Sequence, residues 1–239
     1  MEAFEGLILK QINFKESSKI LYLYTPTGPM SVLVHGAKKV TGGKLSLTEN
    51  LTRIRFFASG KAMKTMTDGE ILADYRKIKD NLEKFTYGQH LSEILHFFSE
   101  SPLDHQKMYE FTKKILDKIE NEVYFVRYVN MFELKFLHLL GVAPNFSACA
   151  ACGSLHDLRF SVEDGGYVCD KHATGKQWAD PEVVDRMKLL YYHDLKNPLE
   201  FKPDDRIRRE IRLFLDGYYL YHLNFKSKSR SILAGLIGY

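Results

Sequence analysis

Cysteine is scarce in this chain of 239 residues: there are three, and one tryptophan. An odd number of thiols does not make a self-contained disulfide framework. Long apolar runs are also missing. The most apolar stretch, Val123 to Val142, is broken by Arg127, Asn130, Glu133, Lys135 and His138, which excludes a membrane-crossing helix there. The beginning, Met-Glu-Ala-Phe-Glu, has neither the basic nor the apolar region of an export signal, so the reducing cytoplasm is the expected compartment. No Gly-x-x-x-x-Gly-Lys-Ser/Thr segment is present to cradle a nucleotide phosphate. Nor is there a nucleophile paired with a base. His90 and His96 flank Glu93 on one helical stretch, yet no motif joins them, and they read as solvated helix-face residues. An enzyme is therefore not expected.

What is present is concentrated. All three cysteines fall between residues 149 and 172, as Cys149-Ala-Ala-Cys152 and then Cys169-Asp-Lys-His172. Two pairs, each with two intervening residues, offer sulfur and nitrogen donors in the number and spacing that tetrahedral Zn²⁺ prefers. Four protein ligands leave no open coordination position, so one structural Zn²⁺ on Cys149, Cys152, Cys169 and His172 is the expectation. His172 completes the paired spacing; His156, inside the loop, is its rival for the fourth place.

The net charge of +4 is unevenly spread. Residues 1 to 80 hold 13 Lys and Arg against 8 Asp and Glu, leaving 21 against 22 in the remainder. The same first third reads as strands over 4–14, 19–24, 31–34, 51–57 and 61–67, separated by Thr25-Pro-Thr-Gly-Pro29, Gly36 with Lys38-Lys39, Thr41-Gly-Gly-Lys44 and Ser59-Gly60. Five short strands without room for crossover helices predict a small antiparallel barrel, for which the OB-fold is the natural candidate.

After Asp80 the apolar period becomes helical, over 82–98, 108–119, 123–140, 181–192 and 203–223. The third of these is apolar on several faces and is expected at the centre of its domain. The fold class is thus multidomain α+β. An OB-fold spans 1–80 and an α-helical domain 81–239, with the zinc lobe inserted at about 147–177.

Basic residues at the barrel mark a candidate nucleic-acid surface. Lys38, Lys39 and Lys44 sit on a glycine-rich loop whose exposed cations suit a phosphate backbone. Arg53 and Arg55 alternate along a strand and should share one face with Phe57, giving charge for phosphates and a ring for base stacking. Of the aromatic pair, Phe56 or Phe57 is read rather as barrel core, with the arginines then solvating the outer side. Lys226, Lys228 and Arg230 form a basic C-terminal run read as an exposed tail, while Arg127 and Lys135 fit either an acidic partner tail or internal ion pairs.

The order of these parts resembles the bacterial RecO DNA repair family. The resemblance is carried by the Gly-Ala-Lys-Lys loop, Phe132-Glu133-Leu-Lys-Phe-Leu-x-x-Leu-Gly141-Val-Ala-Pro144, the Cys-x-x-Cys-Gly start of the lobe, Phe160-Ser161 with Gly165-Gly166, and His222-Leu-x-x-Lys226-x-x-Ser229-Arg230. It implies a non-enzymatic, nucleoid-associated mediator of recombination that binds single- and double-stranded DNA and anneals complementary strands. Its implied partners are RecR, the single-stranded-DNA-binding protein and, indirectly, RecA, with no membrane. It also implies zinc ligands at Cys149, Cys152 and Cys169, with cysteine in many members where this chain has His172. The competing readings are a zinc-containing OB-fold RNA-binding protein, a scaffold that binds only proteins, and, third, a zinc-dependent hydrolase.

Overall fold

The computed structural model describes residues 2–38, 44–61, 63–175, 177–202 and 204–237, with backbone alone for 233–237. Its first strand, β1 (Glu2–Phe14), is long enough to serve two neighbours. Residues 2–7 pair antiparallel with β4 (Arg53–Ser59), and residues 7–14 pair antiparallel with β2 (Ser18–Thr25). A register shift between Ile8 and Lys10 bends β1 where it changes partner, as a bulge does. β3 (Gly28–Val34) follows β2 in a hairpin, and β5 (Lys64–Ala73) pairs with β4.

The five strands close in the order β1-β2-β3-β5-β4, an OB-like barrel. Closure comes from a parallel pairing of β3 with β5, Val32 opposite Lys64 through Val34 opposite Met66, where the sequence pattern suggested an antiparallel barrel throughout. Alternation puts Ile54, Phe56 and Ala58 inside with Ile8, Leu21, Leu23, Val32 and Val34. Phe56 is thus core, and Phe57 lies on the outer face, 41 % exposed.

The chain divides into two compact units, and the change from strand to helix near residue 80 falls inside the first of them, Met1–Asn121 with Ser227–Ile237. In this unit α1 (Arg76–Lys79) is a single turn that the sequence pattern did not reveal. Its exposed N–H groups, at Lys77 and Ile78, are satisfied by the carboxylate of Glu120 on α3 (His105–Asn121) at 3.0 and 2.9 Å. The Lys79 ammonium is pinned by Asp74 at 2.6 Å, Thr52 Oγ1 at 2.7 Å and Glu49 at 2.9 Å. Two carboxylates and a hydroxyl meet the requirement that a desolvated charge be paired and hydrogen-bonded. Tyr109 of α3 donates to Glu5 of β1 at 2.9 Å.

The C-terminal run is not a tail. Lys228–Ile237 forms α7, which packs on α2 (Leu82–Phe97). Ser227 Oγ accepts from the Arg230 N–H at 3.1 Å, and the Glu93 carboxylate of α2 accepts from Ser227 Oγ, the Lys228 and Ser229 N–H groups and Ser229 Oγ at 2.7–3.1 Å. A carboxylate on the first turn is favoured by both the orphan N–H groups and the helix dipole. Arg230 is buried beside Tyr87, while Lys226 and Lys228 stay exposed. His90 is also buried, at 2 %, and not solvated as its helical spacing suggested.

The second unit is Glu122–Lys226. Its central α4 (Val126–Leu139) buries 11 of 14 residues, Arg127, Asn130 and Glu133 among them. The Arg127 guanidinium donates to the carbonyls of Leu199 and Phe201 at 2.6 and 2.7 Å and reaches Glu122 at 3.2 Å, so this charge is internal. Lys135 donates to the Tyr191 carbonyl at 2.7 Å, and burial lowers its pKa. α5 (Pro181–Tyr192) starts at Asp180, whose carboxylate accepts from the Glu182 N–H, with proline in the first turn. α6 (Asp205–Leu223) buries Ile207, Ile211, Phe214, Leu215 and Tyr218 on one stripe. No helix among the described residues is long and apolar enough to cross a membrane.

Replacing Glu93 with alanine removes the acceptor for four donors at the start of α7. The expected loss is about 1–2 kcal/mol, read as a lower urea midpoint with unchanged slope; an unchanged midpoint would show that α7 docks without this carboxylate.

Candidate functional site

In the second unit, β6 (Leu158–Ser161) and β7 (Gly166–Cys169) form an antiparallel hairpin in the segment where Gly165 and Gly166 suggested a turn. Leu158 lies opposite Cys169, which puts the second ligand pair at the base of the hairpin. The first pair is brought there by backbone pairing. Ala150 N–H donates to the Tyr167 carbonyl at 2.9 Å, and Tyr167 N–H donates to the Asn145 carbonyl at 2.9 Å. Gly166 faces Asn145 with φ +129°, and a Cβ there would lie 2.4 Å from the Asn145 nitrogen. Only glycine suits both that dihedral and that approach.

Each ligand pair sits on a tight turn. Gly153 N–H donates to the Cys149 carbonyl and His172 N–H to the Cys169 carbonyl, both at 2.9 Å. The four donor atoms of Cys149, Cys152, Cys169 and His172 all lie within 4.8 Å of one another. Cys152 and Cys169 sulfurs are 3.8 Å apart, and His172 Nδ1 is 3.3 Å from the Cys169 sulfur and 3.8 Å from that of Cys149. A tetrahedron built on metal–sulfur bonds near 2.3 Å and metal–nitrogen bonds near 2.0 Å has edges of roughly 3.6–3.8 Å. The residues therefore fit a four-coordinate metal. His156, the rival for the fourth place, is exposed and outside this cluster.

The electrostatics favour thiolate. Backbone N–H groups of Cys169, Cys152 and Ala151 outweigh desolvation and pull the Cys149 thiol down to about 6. At Cys152 the bond from the Ser154 N–H is outweighed by the Cys149 sulfur, desolvation and the Cys169 sulfur together, and the thiol is pushed up. Sulfurs crowded this closely cannot all ionise without a cation between them.

The barrel carries the other candidate residues, and the structure separates the lysines from the arginines. Arg53, Arg55 and Phe57 do share the outer face of β4. Arg55 donates to Glu70 at 2.9 Å, however, and Arg53 lies 3.8 Å from Glu5, so both guanidinium groups already have carboxylate partners. Lys38 donates to the Lys15 carbonyl at 3.0 Å and Lys44 to the Thr67 carbonyl at 3.5 Å, and among the described residues neither meets a carboxylate. Lys39 lies outside the described residues, as does residue stretch 40–43 of the same loop.

A further cation was missed. The Lys38 N–H donates to the Ser17 carbonyl, which sets the loop against the β1–β2 turn, and that turn exposes Lys15 over the Phe14 ring at 5.5 Å. Behind them Lys19 is buried, donates to Thr48 at 3.2 Å, and has its pKa lowered by burial. The signal for Lys15 was its place in a turn after an aromatic strand end. Nothing in the sequence showed that this turn meets the loop of Lys38.

An OB-like barrel whose turns carry lysines that meet no carboxylate among the described residues, and a second unit whose lobe gathers three cysteines and one histidine in a cluster that fits a metal, define the class of protein. The chain belongs to the RecO family: the model described as Recombination protein O N terminal matches residues 1–75, and that of Recombination protein O C terminal matches residues 79–231. It is similar to the DNA repair protein RecO of Bacillus cereus (strain AH187) and to that of Bacillus anthracis, each 27 % identical over 97 % of this chain and 96 % of the relative. The DNA repair protein RecO of Bacillus cytotoxicus is 28 % identical over the same shares.

Gly166→Ala places a methyl group against the Asn145 backbone in a conformation that L-residues avoid. It should destabilise the lobe by about 2 kcal/mol or more and separate the two ligand pairs. A cobalt titration of the reduced protein, following thiolate-to-metal absorption, checks this; wild-type affinity would show that the hairpin does not position Cys169.

Proposed function

We propose that this chain is a non-enzymatic DNA repair and recombination mediator. In this reading the barrel of residues 1–80 holds single- or double-stranded DNA through its phosphates and anneals complementary strands. The helical part, residues 81–239, would serve the exchange with RecR and the single-stranded-DNA-binding protein that precedes loading of RecA. The names of its relatives and the resemblance to the family carry the repair role. The observation that carries the DNA contact is the set of lysines, Lys15, Lys38 and Lys44, that meet no carboxylate among the described residues and stand on the turns of a closed barrel. Cations without partners are available to phosphate, and release of condensed counterions supplies the affinity without base recognition. Lys39 belongs to the same proposal. Arg53 and Arg55 are its weaker members, because each must leave a carboxylate first. The expected location is the bacterial cytoplasm, at the nucleoid.

We further propose that Cys149, Cys152, Cys169 and His172 hold one structural Zn²⁺. Bound there, the ion supplies cross-linking of the two turns and charge balance for the sulfurs, and no open position for chemistry.

Lys38, Lys39 and Lys44 changed together to glutamate should weaken single-strand binding and annealing while leaving the unfolding midpoint in place. The log–log salt slope should fall by roughly 0.7 for each phosphate contact removed. Unchanged affinity and slope would remove the barrel lysines from the reading, and tighter binding to RNA than to DNA of the same sequence would redirect it. Elemental analysis of reduced, freshly purified protein should find about one zinc per chain. Cys152→Ser should lose most of it and lower stability with little change in DNA affinity; metal-free wild-type protein of full stability would refute the zinc assignment.

A further inference from the structure

The second unit contains a cleft of about 400 Å³ that neither the metal cluster nor the barrel accounts for. Val162, Phe214 and Gly217 are among the residues that line it, together with Trp178 and the outer stripe of α6. That stripe consists of Leu213, Leu220 and Tyr221, which are 56, 51 and 63 % exposed and stand at the spacing i, i+7, i+8 of one helix face. Gly217 at i+4 adds no side chain to the cleft. Apolar side chains of this size grouped on one exposed face are the mark of an interaction surface.

The charge in the cleft is negative. Asp180, Glu210 and Glu163 line it, and Arg206 is divided between Asp180, Glu210 and Glu182. Glu163 has no such help: its Oε2 is buried and has no hydrogen-bond partner. A buried carboxylate oxygen without a donor is costly until something supplies one. Phosphate is repelled by this arrangement, so the cleft is not a continuation of a nucleic-acid surface. A bare metal ion would leave the aromatic and aliphatic walls unused. A guanidinium or ammonium on a peptide meets both features, because it pairs with Glu163 and stacks on Tyr221, the Trp178 ring already facing the Arg159 guanidinium at 5.4 Å, while a neighbouring apolar side chain covers Leu213 and Leu220.

We infer that this cleft docks a segment of a partner protein in which arginine or lysine stands beside bulky apolar residues. The inference goes beyond the DNA-mediator reading and stands without it.

Trp178 is the chain's one tryptophan, so its emission reports on the cleft directly. The full-length protein is titrated with the peptide acetyl-Ala-Leu-Arg-Arg-Leu-Phe-Ala-amide and with the same peptide carrying glutamate for arginine. The arginine peptide should give a saturable change in emission and the glutamate peptide none. In Glu163→Gln the affinity should fall about tenfold or more, as expected for loss of a charge-assisted hydrogen bond, with the far-ultraviolet dichroism and DNA annealing unchanged. Leu213→Arg, which places a like charge and a bulky chain on the apolar wall, should abolish the response; should that variant misfold, Glu163→Gln decides alone. No saturable change, equal response to both peptides, or undiminished affinity in Glu163→Gln overturns the proposal. So does displacement of the peptide by a single-stranded oligonucleotide. An emission change that follows protein concentration alone, with a doubled mass in light scattering, assigns the cleft to a second copy of the chain and overturns it as well. Because annealing is measured on the same samples, failure of the cleft and failure of the mediator reading are distinguishable.

Discussion

The first unit depends on one strand having two partners. β1 gives its first half to β4 and its second half to β2, and the bulge at residues 8–10 is what lets a single strand turn the corner. Once it does, no unpaired edge remains and the sheet becomes a closed surface with loops at its ends. Everything offered to solvent as charge follows from that closure. The β1–β2 turn and the segment after β3 are brought together, so that Lys15 and Lys38 become neighbours although they stand 23 positions apart. The helices then add fixed points: Lys79 among Asp74, Glu49 and Thr52, and Tyr109 on Glu5.

The second unit solves a similar problem at smaller scale. Around the ligand pairs the buried apolar cluster is small, Cys149, Val168 and Cys169, while Phe160 of β6 anchors the hairpin against Phe146 and Phe214. The scaffold of the lobe is the β6–β7 hairpin and the Asn145–Tyr167 backbone pairing, which deliver two cysteine-bearing turns to one point. The remaining weakness is electrostatic, since three sulfurs at van der Waals distance resist ionisation together. A divalent cation held by Cys149, Cys152, Cys169 and His172 would remove that resistance and cross-link the two turns. Backbone and ligand set are thus complementary requirements of the same lobe.

How much of this was legible in the sequence follows the range of the interactions. The ligand pairs were readable because each is a local turn with fixed spacing, and the Gly165-Gly166 bend between them carries its own chemistry. The strands of the barrel were readable from alternation, α2 and α6 from apolar periodicity, and the start of α5 from its cap and proline. What escaped was long-range. The parallel closure of β3 on β5 has no local signature. The α1 turn is held by a carboxylate of α3, 42 residues from the N–H of Ile78 that it satisfies. The basic residues near the C-terminus looked like a tail because charge alone does not reveal that Glu93, 134 positions earlier than Ser227, caps the helix they begin. His90 was misplaced for the same reason: its helix is covered on a face that sequence spacing alone did not identify as buried.

The same distinction governs which cations are free to act. By count, Arg53 and Arg55 were as good as the lysines, and guanidinium is the better phosphate ligand in general. Partnership reverses the ranking here. An arginine already held by Glu70 or Glu5 gains from phosphate only the difference between two carboxylate-like anions, and in exchange strands the carboxylate it leaves. A lysine held by a backbone carbonyl loses a neutral acceptor and gains a charged one. Net charge therefore overstates the capacity of this barrel: its binding strength is set by the subset of cations that folding leaves without an anion, and among the described residues that subset includes Lys15, Lys38 and Lys44 on the turns.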